Sequence, residues 1–297
     1  MPGMGGGGGG MGGGFPGMGG MGGGMGGGGF PGMGGMNEDG ARPQHLYGGL
    51  NGKSKVARLT TSKFPDEKAK FVWFVEFYTA GCPHCQKAVP VVEGLAQKLE
   101  GVVKVGGVSC DVDNSLCGKY SVQSLPTFKL FVEGKAIDYE GTVDAKSMTE
   151  FITENFPAPI ANVRRVQAAS DFLKAAGQGK KGGALFLFTD QYETPLVFKS
   201  LAYQVKDTVG FGEVRASNLQ VSDAYAVGKY PTLLYFCPGG GGEGGEGVVE
   251  YGNGKGGFAK ADVKGLGEWV EGLGKERGRC LEAARKGKRS AARQSTF

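Results

Sequence analysis

Residues 71–90 read FVWFVEFYTAGCPHCQKAVP, and this stretch decides the fold. It opens with a near-continuous apolar and aromatic run, the pattern of a central strand covered on both faces. Only Glu76 breaks that run. Two cysteines follow, Cys82 and Cys85, with Pro83 and His84 between them. Beyond them Val89, Val92, Leu95, Ala96 and Leu99 recur on one helical stripe. The cysteine pair therefore stands where a buried strand ends and a helix begins.

A C-x-x-C spacing can serve a zinc site, a redox dithiol or two unrelated thiols. Zinc needs two further ligands, and the nearby candidates, Cys110 and Cys117, have six residues between them rather than a knuckle spacing. No second C-x-x-C exists, so no metal is expected. At the mouth of a helix the Cys82 sulfur lies over unpaired backbone N–H groups at the positive end of the dipole. That position stabilises a thiolate, the nucleophilic form. His84 can add charge or a hydrogen bond to the same sulfur. Cys85, one turn in, can attack a mixed disulfide formed at Cys82. The expected centre is a redox dithiol whose only cofactor is its own Cys82–Cys85 disulfide.

Glu76 is flanked at i±2 by Phe74 and Tyr78 on one face. Burial there raises a carboxyl pKa, which makes Glu76 a proton acceptor for Cys85. The alternative is an edge-exposed or salt-bridged glutamate. Pro126, in Leu125-Pro126-Thr127 at the head of a strand, marks a turn, and for an X-Pro bond the commoner state is trans.

Around this centre the pattern alternates. VARL (56–59) reads as a strand, SKFPDEKA as a polar connection or short helix, and VVKVGGVSC (102–110) as a strand. NSLCGKY is a short helix, residues 126–141 form a hairpin turning at Glu133-Gly134, and DAKSMTEFITENF (144–156) is an amphipathic helix. Residues 163–275 repeat the scheme: ALFLFT (184–189), a helix over 195–207, a strand over 210–216, and VSDAYAVGKYPTLLYF (221–236). Tyr120, Val122 and Pro126 correspond to Tyr225, Val227 and Pro231, an internal repeat that marks two related domains. A Gly-rich insertion (239–247) widens the second hairpin.

Residues 50–157 resemble the catalytic domain of the protein disulfide isomerases, within the thioredoxin superfamily. The likeness rests on Val-Glu-Phe-Tyr (75–78), Cys-Pro-His-Cys (82–85), Pro90 and Ser-Leu-Pro-Thr (124–127). It implies a cis Pro126 facing Cys82, so that Pro126, Leu125 and Pro83 hold substrate backbone beside the dithiol. By the same likeness Glu76 is the family's buried glutamate and Pro90 the proline that kinks the active-site helix. Several members carry a cysteine pair where Cys110 and Cys117 fall; a structural disulfide and two buried free thiols both fit. Departures are Gly81 where the family usually has Trp, Pro83 where it usually has Gly, and Val143 where an Arg often assists reoxidation. The second repeat resembles a redox-inactive domain: FTDQYET (188–194) holds no cysteine where a dithiol would sit, and Pro231 matches the cis-proline. Cys237 and Cys280 read as incidental.

The ends differ in kind. Of 59 glycines many lie in the first 40 positions, and all but one of nine methionines precede residue 37. Such a segment has little to bury and a large ordering entropy, so residues 1–47 are read as disordered. It resembles the Gly/Phe-rich segment of J-domain co-chaperones, without the J domain's His-Pro-Asp signature. The net charge of +5 resides largely in the tail 276–297, which lacks the interleaved aromatics of a nucleic-acid binder. No apolar run nears the ~20 residues of a membrane span, and no signal peptide or retention signal is present in the sequence.

The expectation is an α/β chain: a catalytic thioredoxin-like domain (48–157), a redox-inactive one (158–275) and a basic tail. The resemblance implies a thiol–disulfide oxidoreductase acting on unfolded cysteine-containing proteins in the endoplasmic reticulum lumen, with glutathione, a thiol oxidase or chaperones as partners. On that view a leader, and by the co-chaperone likeness a J domain, lies upstream. The alternatives are a thioredoxin-like reductase and a co-chaperone fragment that binds unfolded chains.

Overall fold

The computed structural model describes residues 45–48, 54–178, 182–238, 247–251, 263–275, 280 and 282. The Gly/Met-rich segment before residue 45, most of the Gly-rich insertion and nearly all of the basic tail lie outside these residues.

The first sheet comprises β1 (Ala57–Leu59), β2 (Trp73–Tyr78), β3 (Lys104–Ser109), β4 (Thr127–Val132) and β5 (Lys135–Tyr139), in the order β1-β3-β2-β4-β5. β1, β3 and β2 run parallel, and β4 and β5 are antiparallel to their neighbours. The apolar run explains the central place of β2, in which Phe74 through Tyr78 are all buried, Glu76 included. One sheet face, with Phe74, Phe128 and Leu130, packs against α1 (Pro83–Lys98) and α3 (Ala145–Glu154). The other, with Val75, Phe77 and Phe131, packs against α2 (Asn114–Lys119).

Local chemistry sets the helix starts. Pro83, with φ pre-set and no N–H to leave unpaired, opens α1 after the N-cap Cys82. Asp113 and Asp144 accept backbone N–H groups at the heads of α2 and α3. Pro90 lies inside α1, which continues through it. The β4–β5 turn has two residues at positive φ, Glu133 (50°) and Gly134 (75°), as a tight hairpin following the twist of its strands requires.

The second sheet repeats this plan with β6 (Ile160–Asn162), β7 (Ala184–Thr189), β8 (Gly210–Arg215), β9 (Thr232–Phe236) and β10 (Val248–Glu250). Its helices are α4 (Val166–Gln178), α5 (Leu196–Gln204), α6 (Leu219–Ala224) and α7 (Val263–Lys275). The strand order is β6-β8-β7-β9-β10, with the same parallel and antiparallel pairings as in the first sheet. The chain is thus an α/β protein of two tandem thioredoxin-like domains. The main difference follows the edge strand: α4 replaces the single 3-10 turn Thr61–Lys63. The sequence reading missed β6 and α4, whose Ala169, Leu173 and Ala176 are buried with Val166 and Phe172 packed beside them.

The domains share a seam built on α5. Ser200 Oγ donates to the Val102 carbonyl (2.7 Å) and Gln204 Nε2 to the Gly101 carbonyl (3.1 Å). Lys199 Nζ donates to the Thr153 carbonyl (3.1 Å), and Tyr203 meets Phe156 edge-on. Lys206 pairs with Glu133 in the hairpin turn.

Cys237 and Cys280, expected to be incidental, are joined in a disulfide across a sequence separation of 43. Leu266, Val270 and Leu273 of α7 pack on the second core, and both cysteines are buried with them. So long a loop leaves no spacing signal in the sequence.

Candidate active site

Cys82 and Cys85 are both free thiols, Cys82 partly exposed and Cys85 fully buried. The Cys85 N–H points at Cys82 Sγ (3.2 Å), which also lies 3.8 Å from the Leu125 carbonyl oxygen. The Leu125–Pro126 bond is cis, as is Tyr230–Pro231 in the second domain. Cys82, Leu125 and Pro126 are therefore brought together. Burial first, and then the Cys82 sulfur beside it, push the Cys85 thiol well above the ordinary range. The two thiols are thus unequal: Cys82 is reachable from solvent and Cys85 lies behind it.

Pro83 and His84 occupy the exposed first turn of α1. Among the described residues no hydrogen bond joins the His84 ring to Cys82. Gly81 is exposed, and Val143 is 43 % exposed.

Glu76 is wholly buried, and burial raises its pKa to about 8 against a smaller opposing effect of a hydrogen bond from Tyr47. Tyr47 OH donates to Oε2, while Oε1 has no partner. Tyr47 was not anticipated. The expected domain boundary after residue 47 falls inside this packing, because His45–Gly48 turns back onto the sheet and Tyr47 is 1 % exposed. A lone tyrosine next to a Gly-rich tract carries no periodic signal. The one hint lay in β3: a Cβ on Gly107 would sit 2.8 Å from the Tyr47 ring, and glycine in a central strand marks such a close approach.

Asp111 was also missed. Its Oδ2 accepts the Ala80 N–H (2.9 Å), and Gln86 Nε2 donates to the Ala80 carbonyl (2.8 Å), so the peptide two residues before Cys82 is held on both sides. Cys110 and Cys117 are joined in a disulfide that flanks Asp111, and the Cys110 N–H donates to the Tyr78 carbonyl (2.7 Å). In the second domain the corresponding loop carries Thr189, Gln191 and Thr194, with Arg215 bonded to the Gln191 carbonyl and to Glu213. Glu213 is buried like Glu76 but accepts from Thr194 and Arg215, and no thiol accompanies it. No group of residues fit to hold a metal occurs among the described residues.

A doubly repeated thioredoxin-like fold with one dithiol at a helix N-cap beside a cis-proline defines the class: a thioredoxin-fold protein with one redox-type domain. Residues 55–154 match the Thioredoxin family. The chain is 30 % identical over 202 residues to a Dictyostelium discoideum protein named as a disulfide isomerase, covering 65 % of this chain and 48 % of that one. It is 44 % identical over 99 residues to the protein disulfide-isomerase A6 homolog of Drosophila melanogaster, covering 32 % of this chain and 23 % of that one. A crystal structure of ERdj5 (form I) matches in fold with a TM-score of 0.56 at 20 % identity, over 75 % of this chain and 29 % of that one. The chain thus spans less than half the length of these relatives. Residues 55–154 therefore form a Thioredoxin-family domain, and the chain is similar to proteins named as disulfide isomerases.

Proposed function

We propose that this protein is a thiol–disulfide oxidoreductase of the isomerase type, acting on cysteine-containing folding proteins. The observation that carries the reading is the unequal dithiol, a half-exposed Cys82 aimed at by a backbone N–H beside the Leu125 carbonyl and a buried Cys85 behind it. With the pair oxidised, a client thiolate attacks Cys82 Sγ. A client–Cys82 disulfide forms, the Cys82–Cys85 bond breaks, and Cys85 leaves as a thiolate that takes a proton from Glu76. A second client thiolate then attacks the client sulfur of that bond. Cys82 leaves as a thiolate, the client gains a disulfide, and two electrons have passed to the pair. Reduction of a client runs the same steps backwards, with Glu76 accepting the Cys85 proton. Isomerisation joins the two directions.

Leu125, whose carbonyl lies beside Cys82 Sγ, would with Pro126 and Pro83 hold client backbone; His84 would lend charge to the sulfur during exchange. The second domain, without a dithiol, would bind or space the unfolded chain. Glutathione or a thiol oxidase would recharge the pair, and chaperones would share its clients. Two disulfides outside the dithiol support an oxidising compartment, the endoplasmic reticulum lumen, over a reducing one where a thioredoxin-like reductase works.

Refolding of a scrambled disulfide client by the full chain tests the reading. Cys82→Ser is expected to abolish exchange, and retention of full activity would end it. Equilibration with glutathione is expected to give a potential of roughly −180 mV; a value near the −270 mV of thioredoxin would instead favour the reductase.

A further inference from the structure

The segment His45–Gly48 is a strap laid over the buried acid. The Tyr47 hydroxyl donates to Glu76 Oε2, and its ring stands edge-on to Tyr78 at 5.5 Å. Arg58 clamps the strap from β1, donating through Nε to the Tyr47 carbonyl (2.7 Å) and through its terminal nitrogen to the Gly48 carbonyl (2.9 Å). The Leu46 N–H and His45 Nδ1 both lie 3.4 Å from Tyr78 OH. Gly107, opposite Glu76 in the β2–β3 register, leaves the room that the Tyr47 ring fills.

We propose that Tyr47 is a positioning residue for the redox site: its hydroxyl occupies Glu76 Oε2, seals the carboxyl from water and leaves Oε1 as the single open oxygen for the Cys85 proton. This inference rests on the reading of Glu76 given above. A buried carboxylate with no donor is held protonated by desolvation and cannot accept a proton near neutral pH. One hydrogen bond to the charged form opposes this and keeps the acid within reach of titration, which agrees with a Glu76 pKa of about 8. The other charged or titratable groups around the pair are Tyr78 on β2, Cys85 and Glu93 on α1, Arg58 on β1, Asp111 after β3 and His45 on the strap. The arrangement ties the redox site to the segment that leads directly from the Gly-rich N-terminal stretch.

The test uses the full chain carrying a mixed disulfide between Cys82 and fluorescent glutathione. Cys85 gives its proton to Glu76 and attacks Cys82, the Cys82–Cys85 bond forms, and glutathione leaves as a thiolate; the dithiol is oxidised and glutathione reduced. Its release is followed from about pH 5.5 to about 9.5, a range that takes in neutrality and the alkaline side where the shift is expected. Tyr47→Phe keeps the ring and removes the hydroxyl. The profile is expected to move about one unit alkaline, which is about tenfold slower release at pH 7. Tyr47→Phe/Glu76→Gln should match Glu76→Gln alone, since the two groups act as one. A merely structural tyrosine would change the unfolding midpoint and leave the profile where it is. If Glu76→Gln alters the profile and Tyr47→Phe does not, the role of Tyr47 is refuted while that of Glu76 stands. If Glu76→Gln leaves it unchanged, both fall.

Discussion

Glu76→Gln separates stability from activity in a way the structure quantifies. The acid has a pKa of about 8 in the fold against an ordinary glutamate value of 4.5. The native state therefore holds a proton that the unfolded chain releases. The stability this group contributes is fully present below pH 4.5, declines as pH rises, and is lost once pH passes about 8. At 1.36 kcal/mol per pH unit the decline is roughly 3 kcal/mol at pH 7 and about 5 kcal/mol at its limit. Glutamine is neutral throughout and still accepts from Tyr47, but its amide N–H groups have no acceptor, a pH-independent cost of about 1–3 kcal/mol. The variant is thus expected to be less stable than the parent at pH 4 and more stable at pH 8.5, by about 2–4 kcal/mol, while exchange slows. Trp73 and Trp269 are the chain's two tryptophans and lie in different domains. Urea unfolding in a Trp269→Phe background, followed by Trp73 fluorescence across this pH range, reads the first domain alone. Parent and variant curves that stay parallel between pH 4.5 and 8 would refute the reasoning.

Cys85→Ser should leave Cys82 able to attack but remove the resolving thiol, so that covalent client–protein adducts accumulate on non-reducing gels; their absence would count against the order of attack. Replacing both Cys237 and Cys280 by Ala opens a loop with a separation of 43, which by chain entropy costs the second domain about 4 kcal/mol, read through Trp269. The same change at Cys110 and Cys117, with a separation of 7, should cost the first domain only about 2 kcal/mol, read through Trp73. Gly107→Ala places a Cβ 2.8 Å from the Tyr47 ring and should destabilise the first domain by about 1–3 kcal/mol, measured by urea unfolding.

The first domain is largely legible in its sequence because each signal there is local. The run over residues 71–78 is longer than any exposed strand tolerates, Cys82 and Pro83 open α1, and Asp113 and Asp144 announce the next two helices. The burial of Glu76 follows from its apolar flanks. What escapes is set by contacts distant in sequence. Tyr47 reaches Glu76 across 29 residues, and its aromatic body is invisible next to glycines. Asp111 looks like any loop aspartate until β3 brings it to the Ala80 N–H. Cys237 and Cys280 become partners only after α7 folds back.

α5 stands where α1 stands in the first domain, yet Ser200, Leu201, Ala202 and Tyr203 are buried in succession, so neither of its faces is free. On α1 the outward residues Gln86, Lys87, Gln97 and Lys98 remain in water. The equivalent helix has thus traded an open flank, with room for a visiting chain, for a permanent neighbour. Severing the chain between its halves would bare Val102, Phe156 and Tyr203 as unmatched greasy surface, so each half, produced alone, would gain a tendency to self-associate that the intact chain is spared.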